Sequence, residues 1–79
     1  MKQTFLVRDA NAKITFKGTA IRIISDQGDR IVGFNQIIHL YLHQDINITV
    51  KTAIQIAKHV PLHFVDKRTK ILAKVTIGV

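Results

Sequence analysis

The chain contains no cysteine and no glutamate, and each absence removes a class of chemistry. Without Cys there is neither a disulfide staple nor a thiolate for a structural zinc site, and a reducing cytoplasm is the expected setting. Without Glu, the only acids are Asp9, Asp26, Asp29, Asp45 and Asp66. These sit mainly in turn-like contexts, where a carboxylate ordinarily accepts from local backbone N–H groups. Asp26 and Asp29 could form a carboxylate pair, but a hairpin tip is wet, and general acid–base work needs a pKa tuned by burial or by a partner. Ser25 is the single serine, so no Ser–His–acid constellation is available, and the four glycines form no phosphate-binding loop. Long apolar runs are missing too. Met1-Lys2-Gln3-Thr4 is followed by three apolar residues before Arg8, too few for a secretory signal or a membrane span. The expectation is one soluble, cytoplasmic domain covering residues 1–79, with no catalytic residue, no metal ligand set and no membrane partner.

What is present is positive charge and aliphatic bulk. Twelve Lys and Arg against five acids give +7, with an isoelectric point near 10.3. Such a surface attracts polyanions, and nucleic acid is the commonest one in a cytoplasm. A hydrophobic share of 47%, much of it Ile and Val, is what a domain this small needs to bury an adequate core.

The apolar period is two over most of the chain. Residues 3–8, 13–17, 20–25, 30–34 and 37–43 are short β-branched or aromatic runs. Asp26-Gln27-Gly28-Asp29 closes a hairpin, because its Gly can take a positive φ. Between Thr49 and His59 the period changes. Val50, Ala53, Ile54 and Ala57 fall at i, i+3, i+4 and i+7, one apolar helical stripe. Asn47 or Thr49 can cap its start, and Pro61 stops propagation. A run at 62–65, a polar turn at 66–69 and an alternating run at 70–77 complete the chain. The fold class is mainly β (α+β): about seven short strands in a small two-layer domain with one helix near 49–59.

His39 and His43 lie four apart, as do His59 and His63. On a helix that spacing aims two imidazoles at one metal, but residues 37–43 read as strand and Pro61 divides the second pair. The histidines are expected at the surface or at an interface. Lys67, Arg68, Lys70 and Lys74 cluster on the last hairpin, while Lys13, Lys17 and Arg22 mark the polar side of the second and third strands. Either set could track a phosphate backbone, and either could be an ordinary solvated face. Base-stacking aromatics are scarce, since most Phe residues sit on the apolar side of their runs, so sequence-specific readout is not expected. Residues 37–43 are apolar or aromatic on both faces: Ile37, His39, Tyr41 and His43 on one, Ile38, Leu40 and Leu42 on the other. A strand of a single sheet normally has one polar face. Two-sided burial implies a sandwich with the helix covering one side, a subunit interface, or a mixture of the two, and Ile37, His39, Tyr41, Leu42 and His43 are the candidate self-association residues.

The order of elements, with some specific residues, resembles the CRISPR-associated integrase family, the catalytic Cas-one subunit of the adaptation complex. The opening strand, tight turn and second strand correspond to Thr4–Arg8 and Ala12–Gly18, and a hairpin at 21–34 precedes the apolar strand Ile37–Leu42. Family members then show a small polar residue, an aliphatic and a Ser or Thr before a helix ending in Leu-Ala, followed by a strand with an aromatic near its end. Here these are Asn47-Ile48-Thr49, Ile56-Ala57 and Leu62-His63-Phe64-Val65-Asp66. The family usually ends this helix with Gly, where this chain has His59-Val60-Pro61.

The resemblance covers essentially all 79 residues and concerns the family's N-terminal, non-catalytic β-domain. It implies a domain that forms a homodimer, orients catalytic domains and helps hold double-stranded DNA without sequence preference. The implied setting is spacer acquisition in antiviral defence, beside the small Cas-two subunit. The family's magnesium or manganese site lies in a helical C-terminal domain with no counterpart in these residues, so no cofactor is expected in this chain. Two other readings stay open: an independent basic β-domain binding RNA or DNA, and a pure oligomerisation module.

Overall fold

A computed structural model describes residues 2–9 and 11–75. The period-two runs become strands: β1 (Gln3–Val7), β2 (Lys13–Phe16), β3 (Ala20–Ser25), β4 (Gly28–Gly33) and β5 (Ile37–His43), with a 3₁₀ turn at Phe34–Gln36 before β5. Helix α1 (Val50–Ala57) follows, then β6 (Leu62–Val65) and β7 (Ile71–Val75). The strands form two sheets, one ordered β1-β5-β6-β7 and the other β2-β3-β4. This is the small mainly-β, α+β architecture that the sequence patterning predicts.

In the larger sheet β1 and β6 both run parallel to the central β5, whereas β7 returns antiparallel to β6. Parallel neighbours need a crossover, and α1 supplies the one between β5 and β6. The smaller sheet is a meander. Its β3–β4 hairpin closes at the Ser25–Gly28 pair with Gly28 at φ 125°. The β2–β3 turn puts Gly18 at φ 77° and lets the Thr19 N–H donate to the Lys17 carbonyl at 2.9 Å, a γ-turn.

The two sheets and the helix share one core. Ile14, Ile21, Ile23 and Val32 from the small sheet meet Val7, Leu40, Leu42 and Leu62 from the large one, with Ala53 and Ile56 of α1. Burying one such aliphatic side chain is worth about 1.5–3 kcal/mol relative to leaving it in water. The helix lies against β2, β6 and β7.

The helical stripe is displaced from the predicted one. Ala53 is buried as expected and Ala57 half-buried, but Val50 is 77% exposed and Ile54 40%. The side chains that reach the core are Ala53, Ile56 and, past the helix end, Val60. The repeat i, i+3, i+4, i+7 begins at residue 53 rather than 50, because two overlapping apolar stripes exist and the sheet decides which one is covered. Thr49 is the cap, its side chain accepting from the Thr52 N–H at 3.1 Å. Asn47 instead bonds to β2, accepting from the Ile14 N–H and donating to the Ala12 carbonyl. The helix ends without a left-handed residue. Lys58 stays right-handed, and the His59 and Val60 N–H groups both return to the Ile56 carbonyl. Pro61 then opens the extended segment that leads into β6.

The face assignment of β5 also needs correction. Ile37 lies inside with Leu40 and Leu42, while Ile38 is 46% exposed. Pairing with β1 steps from Gln3–Ile37 to Phe5–Leu40, so one extra residue in β5 reverses the alternation. For the closing run, Thr76 and Ile77 lie outside the described residues. Among the described residues no helix is long and apolar enough to cross a membrane.

Candidate functional site

The outward face of the large sheet carries a line of aromatic rings. Pairing sets Leu6 beside Tyr41, Tyr41 beside His63, and His63 beside Lys74. Tyr41 stacks on the His63 ring at 4.6 Å and 14°, and His39 Nδ1 lies 3.3 Å from His63 Nε2. His63 is buried, and its Nδ1 has no hydrogen-bond partner. Burial, then the neighbouring His39 and Lys74, hold its pKa below the usual histidine value. A half-buried aromatic strip bordered by the exposed Leu6, Ile38 and Leu72 is suited to meeting another surface.

The five candidate self-association residues therefore separate. His39 and Tyr41 lie on this open face. Ile37 and Leu42 are 2% and 0% exposed in the chain's own core and are not free to meet a partner. His43 is also buried, at the end of β5, where its Nδ1 accepts from the Asp45 N–H at 3.2 Å. Because β5 is central, both its edges are already paired. Contact along this strand must use the sheet face, not edge-to-edge addition.

The histidine pairs suggested by spacing do not form. His39 meets His63, a residue 24 positions away, because β5 and β6 run parallel in register. His59 stacks on Phe34 at 4.6 Å. Two of the four, His43 and His63, are buried rather than on the surface. No group of three or more His, Asp or Glu side chains among the described residues could hold a metal.

The two basic sets occupy different sheets. Lys67 and Arg68 stand exposed in the β6–β7 turn, Lys70 just before β7 and Lys74 on it. That turn is closed by hydrogen bonds: Asp66 Oδ1 accepts from the Arg68 and Lys70 N–H groups, both at 2.9 Å, and the Thr69 N–H donates to the Asp66 carbonyl. The tip cations thus project from a hydrogen-bonded turn. In the small sheet Lys13 and Lys17 are exposed, but Arg22 is engaged. Its Nε lies 2.9 Å from both Asp29 carboxylate oxygens, and its Nη2 also contacts that group. Asp29 is held below the usual carboxylate range, chiefly by the Arg22 hydrogen bonds, with Lys17 contributing. Arg22 is accordingly less available to a phosphate than Lys13 or Lys17.

A residue the sequence pattern left unremarked is Arg8, the last of the first apolar run. With His43, Val65, Asp66, Lys67 and Thr69 it lines a cavity of about 180 Å³. No spacing signal could reveal this, since the three stretches meet only through sheet register.

Two sheets, a parallel β1-β5-β6 run and one covering helix define a small α+β domain of specific topology. That topology recurs among solved structures of Cas1 proteins. A partial Cas6-RT-Cas1–Cas2 complex matches 99% of this chain at 16% identity, with a TM-score of 0.79, over 24% of its own chain. A Cas1 protein from Thermotoga maritima matches 94% at 8% identity, TM-score 0.75, over 24% of its length. A Cas1–DNA complex matches 92% at 15% identity, TM-score 0.71, over 28% of its length. This chain thus spans about a quarter of each relative's length. No family model and no curated protein matches the sequence significantly. At these identities the likeness is one of fold, and the fold agrees with the N-terminal Cas1 domain that the sequence resembles.

Proposed function

We propose that this chain acts as the non-catalytic N-terminal domain of a CRISPR-associated integrase in spacer acquisition. Its two contributions are self-association and contact with double-stranded DNA without sequence preference. The observation that carries the reading is the match of almost the entire chain to structures containing Cas1, one of them with Cas2 and another with DNA. The excess of positive charge supports the DNA part, and the open His39–Tyr41 face supports self-association. Catalysis is assigned to no residue here, and magnesium or manganese is assigned to none.

Binding to duplex DNA over a salt series tests the proposal. Sequence-independent binding whose logarithm falls linearly with the logarithm of salt is the expected result. Absence of binding even at low salt would overturn the DNA role. The second reading, a pure oligomerisation module, draws on the exposed Leu6, Ile38 and Leu72 around the aromatic strip. It predicts association without any affinity for DNA.

A further inference from the structure

The three parallel strands β1, β5 and β6 run the same way, so their carboxyl ends share one edge of the sheet. Each delivers a nitrogen-bearing side chain there: Arg8 directly after β1, His43 closing β5, and Lys67 two residues after β6. All three line the same cavity of about 180 Å³, roughly six waters' share of liquid volume. The edge beyond the carboxyl ends of parallel strands is where loops are free to converge on a ligand, as in open α/β sheets.

The electrostatics favour an anion. Among the described residues the one ion pair made by a Lys or Arg is Arg22–Asp29, so neither Arg8 nor Lys67 belongs to one, and the Asp45 carboxylate lies 3.6 Å from His43 Nδ1. The carboxylate at the cavity, Asp66, has Oδ1 committed to the Arg68 and Lys70 N–H groups, and two cations outweigh it. His43 Nδ1 accepts from the Asp45 N–H, which leaves the proton of the neutral ring on Nε2 and makes that nitrogen a donor. A planar guanidinium fork, an ammonium and an imidazole N–H form a donor set suited to tetrahedral oxyanions.

We infer that Arg8, His43 and Lys67 form a pocket for a phosphate group at the carboxyl edge of the parallel sheet. Its ligand is a phosphate of the nucleic-acid backbone, an assignment of source that rests on the DNA reading above. The pocket shares Lys67 with the hairpin but, through Arg8 and His43, takes one phosphate at a fixed position. It therefore sets where the duplex sits, whereas the hairpin adds diffuse attraction.

The test is an NMR titration of the full chain with inorganic phosphate against chloride at equal ionic strength, then with duplex DNA. Saturable, phosphate-specific shifts are expected at the Arg8 Nε–H, the His43 ring and the residue 67 amide. Hydrogen bonds to charged groups imply that Arg8→Ala weakens phosphate binding about tenfold or more. Lys67→Ala should do the same, while Arg68→Ala, outside the cavity lining, leaves it unchanged. Arg8 is exposed, and thermal melts verify that its variant stays folded. Equal responses to phosphate and chloride overturn the pocket, even where the duplex still binds through the hairpin. Saturation by phosphate without duplex binding upholds the pocket as a free-phosphate site and overturns the nucleic-acid source.

Discussion

His39 Nδ1 and His63 Nε2 lie 3.3 Å apart although 24 residues separate them. The contact exists because β5 and β6 are adjacent and parallel, with Tyr41 opposite His63. One ring thereby becomes buried on a face whose rim stays open to solvent, and that contrast underlies two of the predictions.

His63 should make stability depend on pH. Its folded pKa is lowered, first by burial and then by His39 and Lys74, so the unfolded chain binds the proton more readily. Its contribution is fully present above the ordinary histidine value of about 6.5 and is lost as pH falls toward the lowered value. Thermal melts across this window should show the midpoint falling with acidification. His63→Phe, which keeps a ring to stack on Tyr41, should flatten the dependence; an unchanged slope would show that His63 is not the group responsible.

Tyr41→Lys should shift the chain toward monomer. Tyr41 is half-buried against His63 on the open face, and a charge trapped there by a partner has no counter-ion, which costs several kcal/mol. Light scattering of both proteins at matched concentration measures the effect. A wild type that is strictly monomeric at high concentration removes this face from consideration.

Replacing Lys67, Arg68 and Lys70 by Ala should weaken duplex binding to all sequences alike. The slope of log K against log salt should flatten by about 0.9 for each phosphate that the variant no longer neutralises. The same charge removed at Lys2, Lys51 and Lys58 is the control. Identical behaviour of the two triple variants would mean that the hairpin is not a site and that only the net field matters.

Ile56→Ala should destabilise the fold by about 2–5 kcal/mol, the usual range for emptying a fully buried aliphatic site. Ile56 is 0% exposed, whereas Val50 is 77% exposed, so Val50→Ala should stay within about 0.5 kcal/mol. Chemical denaturation of both variants checks which helical face is covered. Equal destabilisation by the two would contradict the packing of α1 on β2, β6 and β7.

Strand and helix positions were legible in the residues because periodicity and turn chemistry are local. Alternation at 13–16, the Gly28 turn and the Thr49 cap each depend on neighbours within a few positions. The basic hairpin was legible for the same reason, as its cations are close in sequence and its tip is polar.

Local residue patterns thus specify an inventory: short strands, one helix, excess positive charge and the kinds of side chain available. Tertiary structure alone decided which of them meet. Val50 and Ile56 are equally apolar letters of one helix, and the sheet beneath covers only Ile56. The extra residue in β5 turned Ile37 inward and Ile38 outward, a change of phase that arises from pairing with β1. Arg22 looked like a free cation until β4 set Asp29 diagonally opposite it, two residues from its direct partner Ile31. Arg8, His43 and Lys67 converge only because three strands far apart in the chain run parallel to a common edge. Register between strands distant in sequence is settled by burying one shared core, and no local pattern carries that information.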